Sequence, residues 1–197
     1  MEKIEFKFSH AALPTKKYIN QRGTFKTGDL EFTKSSGVLL VFSRNKSTEE
    51  IVLRMEPSVF LWCKSGSGAQ DVLYHNVGHL TDADDAIEEE VFELAGVFPE
   101  FEFEYRRRPS ICSVFQIGTA TVDGVDFEKH VYTVVRFSRR EGSNEILTEA
   151  TKYIFVRSLG PSMEMVYSSF GDSCGDVDDY IEESIYGYLK ANPKARK

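Results

Sequence analysis

The chain has 197 residues, of which 41% are hydrophobic and 28% charged, and its formal net charge is −7. That size supports one domain with a core of its own, without metal or disulfide support. The acidity disfavours nucleic acid as a partner, since its binders are usually basic, and no run approaches the ~20 apolar residues of a membrane-spanning helix.

Near the N-terminus, Ile4, Phe6 and Phe8 alternate with Glu5 and Lys7, the period of a strand with one buried face. The polar run after Pro14 reads as a loop. Phe25, Leu30 and Phe32 fall in two short strands around Gly28-Asp29. Val38 to Phe42 is a continuous apolar run, the pattern of a strand covered on both faces. Residues 50–55 and 58–63 follow as antiparallel strands. Pro57 cannot donate to a ladder, which places it in their connection. Residues 65–70 have loop composition, and 71–74 add a short strand.

Residues 81–109 are the most informative stretch. Thr81 or Asp82 is the expected N-cap of a helix over 82–95, with Asp82, Asp84, Asp85 and Glu88 near the positive end of its dipole. Ile87, Val91, Leu94 and Ala95 make one apolar stripe, and Gly96 is placed to end the helix. The period then changes to two: Phe101, Phe103 and Tyr105 face one way, and Glu100, Glu102 and Glu104 the other. Arg106, Arg107 and Arg108 follow, and Pro109 closes the segment.

Strands are predicted over 111–122, 125–139 and 146–158, with a further one at 163–167. Asp123-Gly124 is a strong hairpin signal, and residues 141–144 mark a second turn. Val177, Ile181, Ile185 and Leu189 then repeat every four residues in a second amphipathic helix, which Asp176 can cap. No internal repeat and no linker is legible. The expected organisation is a single α+β domain over 1–191 with a basic flexible tail at 192–197. Its architecture is a large curved antiparallel sheet of about 8–10 strands, mostly in meander order, with two amphipathic helices packed on it.

Charge is unevenly distributed. Residues 82–104 hold ten acids and residues 172–183 hold six, with no Lys or Arg in either. The rest of the chain is net basic. Three sparse cysteines, Cys63, Cys112 and Cys174, with no CxxC pair, suggest reduced thiols and a cytoplasmic setting.

No catalytic residue and no cofactor is expected. His75 and His79 are four apart and are the weak metal candidates, although Gly78 between them argues against one helical face. Cys174 precedes a helix, where a thiol can be activated, but the acids around it oppose a thiolate. Phosphate-loop and dinucleotide glycine motifs are absent. Arg106–Arg108, with Arg136, Arg139 and Arg140, form a basic patch if their strands are neighbours; pairing with the nearby acids is the plainer expectation.

The reading is therefore a non-enzymatic cytosolic interaction protein of the inhibitor, adaptor, immunity or viral accessory kind. It would bind a protein partner of basic character through a charged surface, without membrane insertion. The expected partner-binding residues are Asp82, Asp84, Asp85, Glu88, Glu89, Glu93, Arg106, Arg107 and Arg108. The alternative is a small-molecule or lipid carrier with an apolar pocket between sheet and helices. An enzyme ranks below both.

Overall fold

In the structure, a computed structural model, residues 3–9, 16–66, 68–78, 82–104, 112–160, 163–171 and 177–193 are described. Among them are ten strands and two helices in the order β1 (Lys7–Phe8), β2 (Lys17–Thr27), β3 (Leu30–Arg44), β4 (Ile51–Lys64), β5 (Gln70–Val77), α1 (Ala83–Ala95), β6 (Glu102–Glu104), β7 (Cys112–Val122), β8 (Val125–Arg139), β9 (Ile146–Ser158), β10 (Met165–Phe170) and α2 (Val177–Ala191). The fold is α+β, and the strands are shared between two five-stranded antiparallel sheets. One has the order β5-β4-β3-β2-β6 and the other β1-β7-β8-β9-β10.

The two sheets are copies of one plan. Lys17 pairs with Leu40 and Thr27 with Leu30, while Cys112 pairs with Val135 and Val122 with Val125. The second register is the first moved along by 95 residues. The same offset relates Phe32↔Cys63 to Phe127↔Ser158 and Arg44↔Ile51 to Arg139↔Ile146. Identical residues then fall together: Gln21 on Gln116, Gly23 on Gly118, Phe32 on Phe127, Lys34 on Lys129 and Glu50 on Glu145. The helices align as well, Asp-Ala-Ile-Glu-Glu (85–89) on Asp-Tyr-Ile-Glu-Glu (179–183). The chain is an internal duplication. The eye passes over it because identities are sparse and alternate with solvent-facing positions.

The short strands are exchanged between the halves. β1 precedes the first meander but pairs with β7 of the second, Phe8 opposite Gly118. β6 precedes the second meander but pairs with β2 of the first, Phe103 opposite Gly23. Each glycine is needed for this approach: a Cβ on Gly23 would lie 2.5 Å from the Phe103 ring, and one on Gly118 would lie 2.9 Å from Phe8. The two cores follow. Phe6 and Phe8 are buried with Phe127, Val131, Ile154 and the α2 stripe Val177, Ile181, Ile185 and Leu189. Phe101 packs on the other core, against Phe32, Leu61, Ile87 and Val91. Each buried side chain of this size contributes about 1.5–3 kcal/mol relative to exposure.

Local chemistry accounts for most boundaries. Asp123 and Gly124 both take positive φ, 50° and 77°, as a two-residue hairpin turn requires. Gly96 ends α1 in the left-handed conformation, its N–H donating to the Phe92 carbonyl at 2.7 Å. Four expectations are revised. Asp82 stands at the N-cap with φ 68° and makes no side-chain cap hydrogen bond. Leu94 leaves the expected apolar stripe and is exposed. Residues 17–23 form the first part of β2 and are not a loop. Pro57 lies inside β4 opposite Val38. Its carbonyl accepts from Gly78 just past the end of β5, and its missing N–H lies on that same side, so only this last rung beside β5 is incomplete.

Candidate functional site

The halves meet at two equivalent junctions, each built around a buried lysine. Lys34 lies on β3, on the face that carries Phe32 and Leu40. Its Nζ is 2.6 Å from Asp84 Oδ1 at the start of α1 and 3.1 Å from Glu145 Oε1 of the other half. Arg140 Nη1 closes the ring, 2.8 Å from Asp84 Oδ2 and 3.0 Å from Glu145 Oε2. The Lys34 ammonium also lies 5.5 Å from the centre of the Phe103 ring. Two cations and two carboxylates thus make a charge-balanced quartet. Beside it, Gln21 accepts from the Ile146 N–H at 2.9 Å and donates to the Ile146 carbonyl at 3.3 Å.

At the second junction Lys129 Nζ is 2.7 Å from Asp178 Oδ1 and 3.9 Å from Glu50 Oε2, and 5.6 Å from the centre of the Phe6 ring. Gln116 bonds the Ile51 N–H and the Glu49 carbonyl. Asn45 stands in the place of Arg140, and the second cation is instead Lys152 of β9, 3.1 Å from Glu50 Oε1. Burial pushes the Asp84 carboxyl up, but the hydrogen bonds and charges of Lys34 and Arg140 outweigh it and hold it below its ordinary value. Asp178 is likewise pushed up by burial and brought lower overall by Lys129, Lys152 and Lys3. Hydrogen bonding to Asp84 raises Arg140 further.

Above the first quartet is a cavity of about 340 Å³. Its floor is the β2–β3–β4 face at Ile19, Val38, Pro57 and Val59. One wall is the first turn of α1, and the other is the start of β9 from the opposite half, Ile146 to Thr148. Asp84, Arg140 and Glu145 form its charged rim. Ser36 lines it too, and Ser36 Oγ is fully buried with no hydrogen-bond partner among the described residues.

The sequence-predicted residues separate into distinct groups. Asp84 is taken up in the quartet, whereas Asp82, Asp85, Glu88, Glu89 and Glu93 are exposed along α1. Among them the helix also exposes Phe92, and just past its end Phe98; these rings stack at 4.9 Å and are 45% and 67% exposed. Leu94 and Val97 are exposed beside them. The two acidic helices lie on separate sheets, so their charge is not one layer. Arg106, Arg107, Arg108, His79 and Cys174 fall outside the described residues. Of Arg136, Arg139 and Arg140, the first bonds the Tyr153 hydroxyl, the second bonds Asn144, and Arg140 reaches the acidic helix.

His75 packs its ring on Phe60, 4.4 Å between centres, on the face of the sheet away from α1. No group of three or more His, Cys, Asp or Glu in metal-binding arrangement occurs among the described residues. Burial, followed by the charge of Asp71, pushes the Cys63 thiol up, away from the reactive thiolate. No helix among the described residues is long and apolar enough to cross a membrane. On the second sheet's outward face, Glu128 accepts from Arg157 at 2.6 Å and contacts His130 at 3.0 Å; Arg157 and then His130 hold its carboxyl low.

Sequence reasoning missed Lys34, Gln21, Ser36 and Glu145, together with Lys129, Gln116 and Glu50. A signal for them exists in the repeat: Gln-x-Gly-Thr recurs at 21 and 116, and Phe-x-Lys at 32 and 127. A buried lysine repeated at one spacing implies an acid repeated at the same spacing, and Glu145, which is buried, and Glu50, which is partly buried, satisfy it. Comparison with known proteins gives no match to this chain among family models, curated proteins or solved structures.

Proposed function

We propose that the protein is a non-enzymatic binding protein whose α1 surface engages a basic protein partner. The supporting observation is the exposed Phe92–Phe98 stack, set among the exposed acids Glu88, Glu89 and Glu93. An aromatic anchor inside a charged rim is the usual anatomy of a protein-binding surface, with the anchor carrying affinity and the rim selecting the partner by charge.

The duplication sharpens the point. Tyr186 and Tyr188 of α2 occupy the positions of Phe92 and Leu94, and both pack down on their own core. In α1 the corresponding side chains are exposed, as are Val97 and Phe98. Two helices of common plan therefore differ in whether this region is self-satisfied. The decisive experiment is affinity capture from the native host with quantitative mass spectrometry. Wild-type protein is expected to retain a basic protein. That protein is lost with Phe98→Ser and with the charge reversal Glu88→Lys, Glu89→Lys, Glu93→Lys. Undiminished capture by both variants rejects the surface.

A further inference from the structure

We infer that the cavity at the first junction is a binding site for a compact, neutral, mainly apolar molecule carrying one hydroxyl or carbonyl group. The second junction has the same plan. There the positions of Ser36 and Pro57 are held by Val131 and Lys152. Val131 is buried in the core, and Lys152 extends to Glu50 at 3.1 Å. A lysine at 57 would extend towards Glu145 in the same way. Proline cannot, and the space stays open.

The chemistry of the open site selects its ligand. Ile19, Val38, Pro57 and Val59 offer an apolar floor. The charges on the rim neutralise one another, with Lys34 and Arg140 against Asp84 and Glu145, so no charge is left for an ionic ligand. Gln21 spends both ends of its amide on Ile146. Ser36 Oγ remains, fully buried and without a partner among the described residues. A buried hydroxyl left unpaired is costly, and turned about χ1 towards the cavity it would pair with a ligand oxygen. A volume of about 340 Å³ is at the small end for ligand pockets, which excludes a two-chain lipid.

The test uses 1-octanol as probe and octanoate as its charged control, with full-length protein labelled at Ile, Leu and Val methyl groups. Octanol is expected to shift the NMR signals of Ile19, Val38 and Val59 saturably, and octanoate to bind more weakly. Ser36→Val, which reproduces the second junction's residue, is expected to weaken octanol by about tenfold. Pro57→Lys is expected to abolish the shifts. Both variants are first checked for a native methyl spectrum, and Ser36→Ala replaces any that fails. The site is rejected if octanol leaves those three methyls unmoved, or if Pro57→Lys binds as wild type does. Tighter binding of octanoate than of octanol overturns the neutral class of ligand.

Discussion

Lys34 and Glu145 are 111 residues apart in sequence and meet at 3.1 Å, each nearly excluded from solvent. Each has one further partner in the quartet, Asp84 for Lys34 and Arg140 for Glu145. Removing one partner of such a pair typically costs about 3 kcal/mol, because the buried survivor keeps only one of its two ion-pair partners. Lys34→Met should therefore lower the unfolding free energy by about that amount, read from urea denaturation. Combining it with Glu145→Leu should recover much of the loss. Strictly additive effects would show that the two residues are not energetically coupled.

Acid should act on both junctions. The Asp84 and Asp178 carboxyls lie below their ordinary value in the folded protein. A lowered folded-state pKa gives stability that is present above the unfolded value, about 3.9, and is lost as pH falls through the folded value. The double variant Asp84→Asn, Asp178→Asn should be less stable than wild type near neutral pH. The gap should narrow from about pH 4 downwards, where wild type loses what the variant never had. Urea midpoints measured across that range decide it, and parallel curves would contradict it.

The exchange of short strands rests on two glycines. Phe103 is buried against Gly23, so its ring cannot retreat from a new methyl group. Gly23→Ala should destabilise by about 1–3 kcal/mol, the usual range for overpacking. Phe103→Leu added to it should restore part of that. Thermal unfolding of the two variants makes the comparison, and a neutral Gly23→Ala would mean that β6 can move aside.

Phe8 gives a directional result. It belongs to the core that α2 covers, although it stands at the other end of the chain. Phe8→Ala should cost about 3–5 kcal/mol. Hydrogen exchange should quicken first in β7 and α2, and only later in α1. Equal quickening in both helices would mean that the halves do not open separately.

How much of this was legible depended on how local the cause was. The hairpin at Asp123-Gly124 sets its own register, and β7, β8 and β9 were located almost to the residue. The α2 stripe was legible for the same reason, since four apolar residues at helical spacing state their own burial. β2 was not. Its inward face carries Gln21 and Gly23, which are buried because Ile146 and Phe103 meet them from far along the chain. The same distance hid the quartet: Lys34 looks like any strand lysine until Asp84 and Glu145 are beside it. Of the charged residues singled out in advance, those along α1 are exposed, apart from Asp84, which the quartet takes up.

The crossing of β1 to the far sheet has a consequence for assembly. The rings of Phe6 and Phe8 are buried among residues more than a hundred positions away, the Phe8 N–H donates to the Thr48 carbonyl at 2.9 Å, and the Ile4 N–H donates to Glu182 at 2.8 Å. Nothing in those contacts identifies which molecule the arm came from. Two chains that traded arms would each regain the same buried rings, the same backbone bonds and the same lysine–aromatic contacts. Only the proximity of an arm tethered to its own chain favours the monomer, and that advantage shrinks as concentration rises.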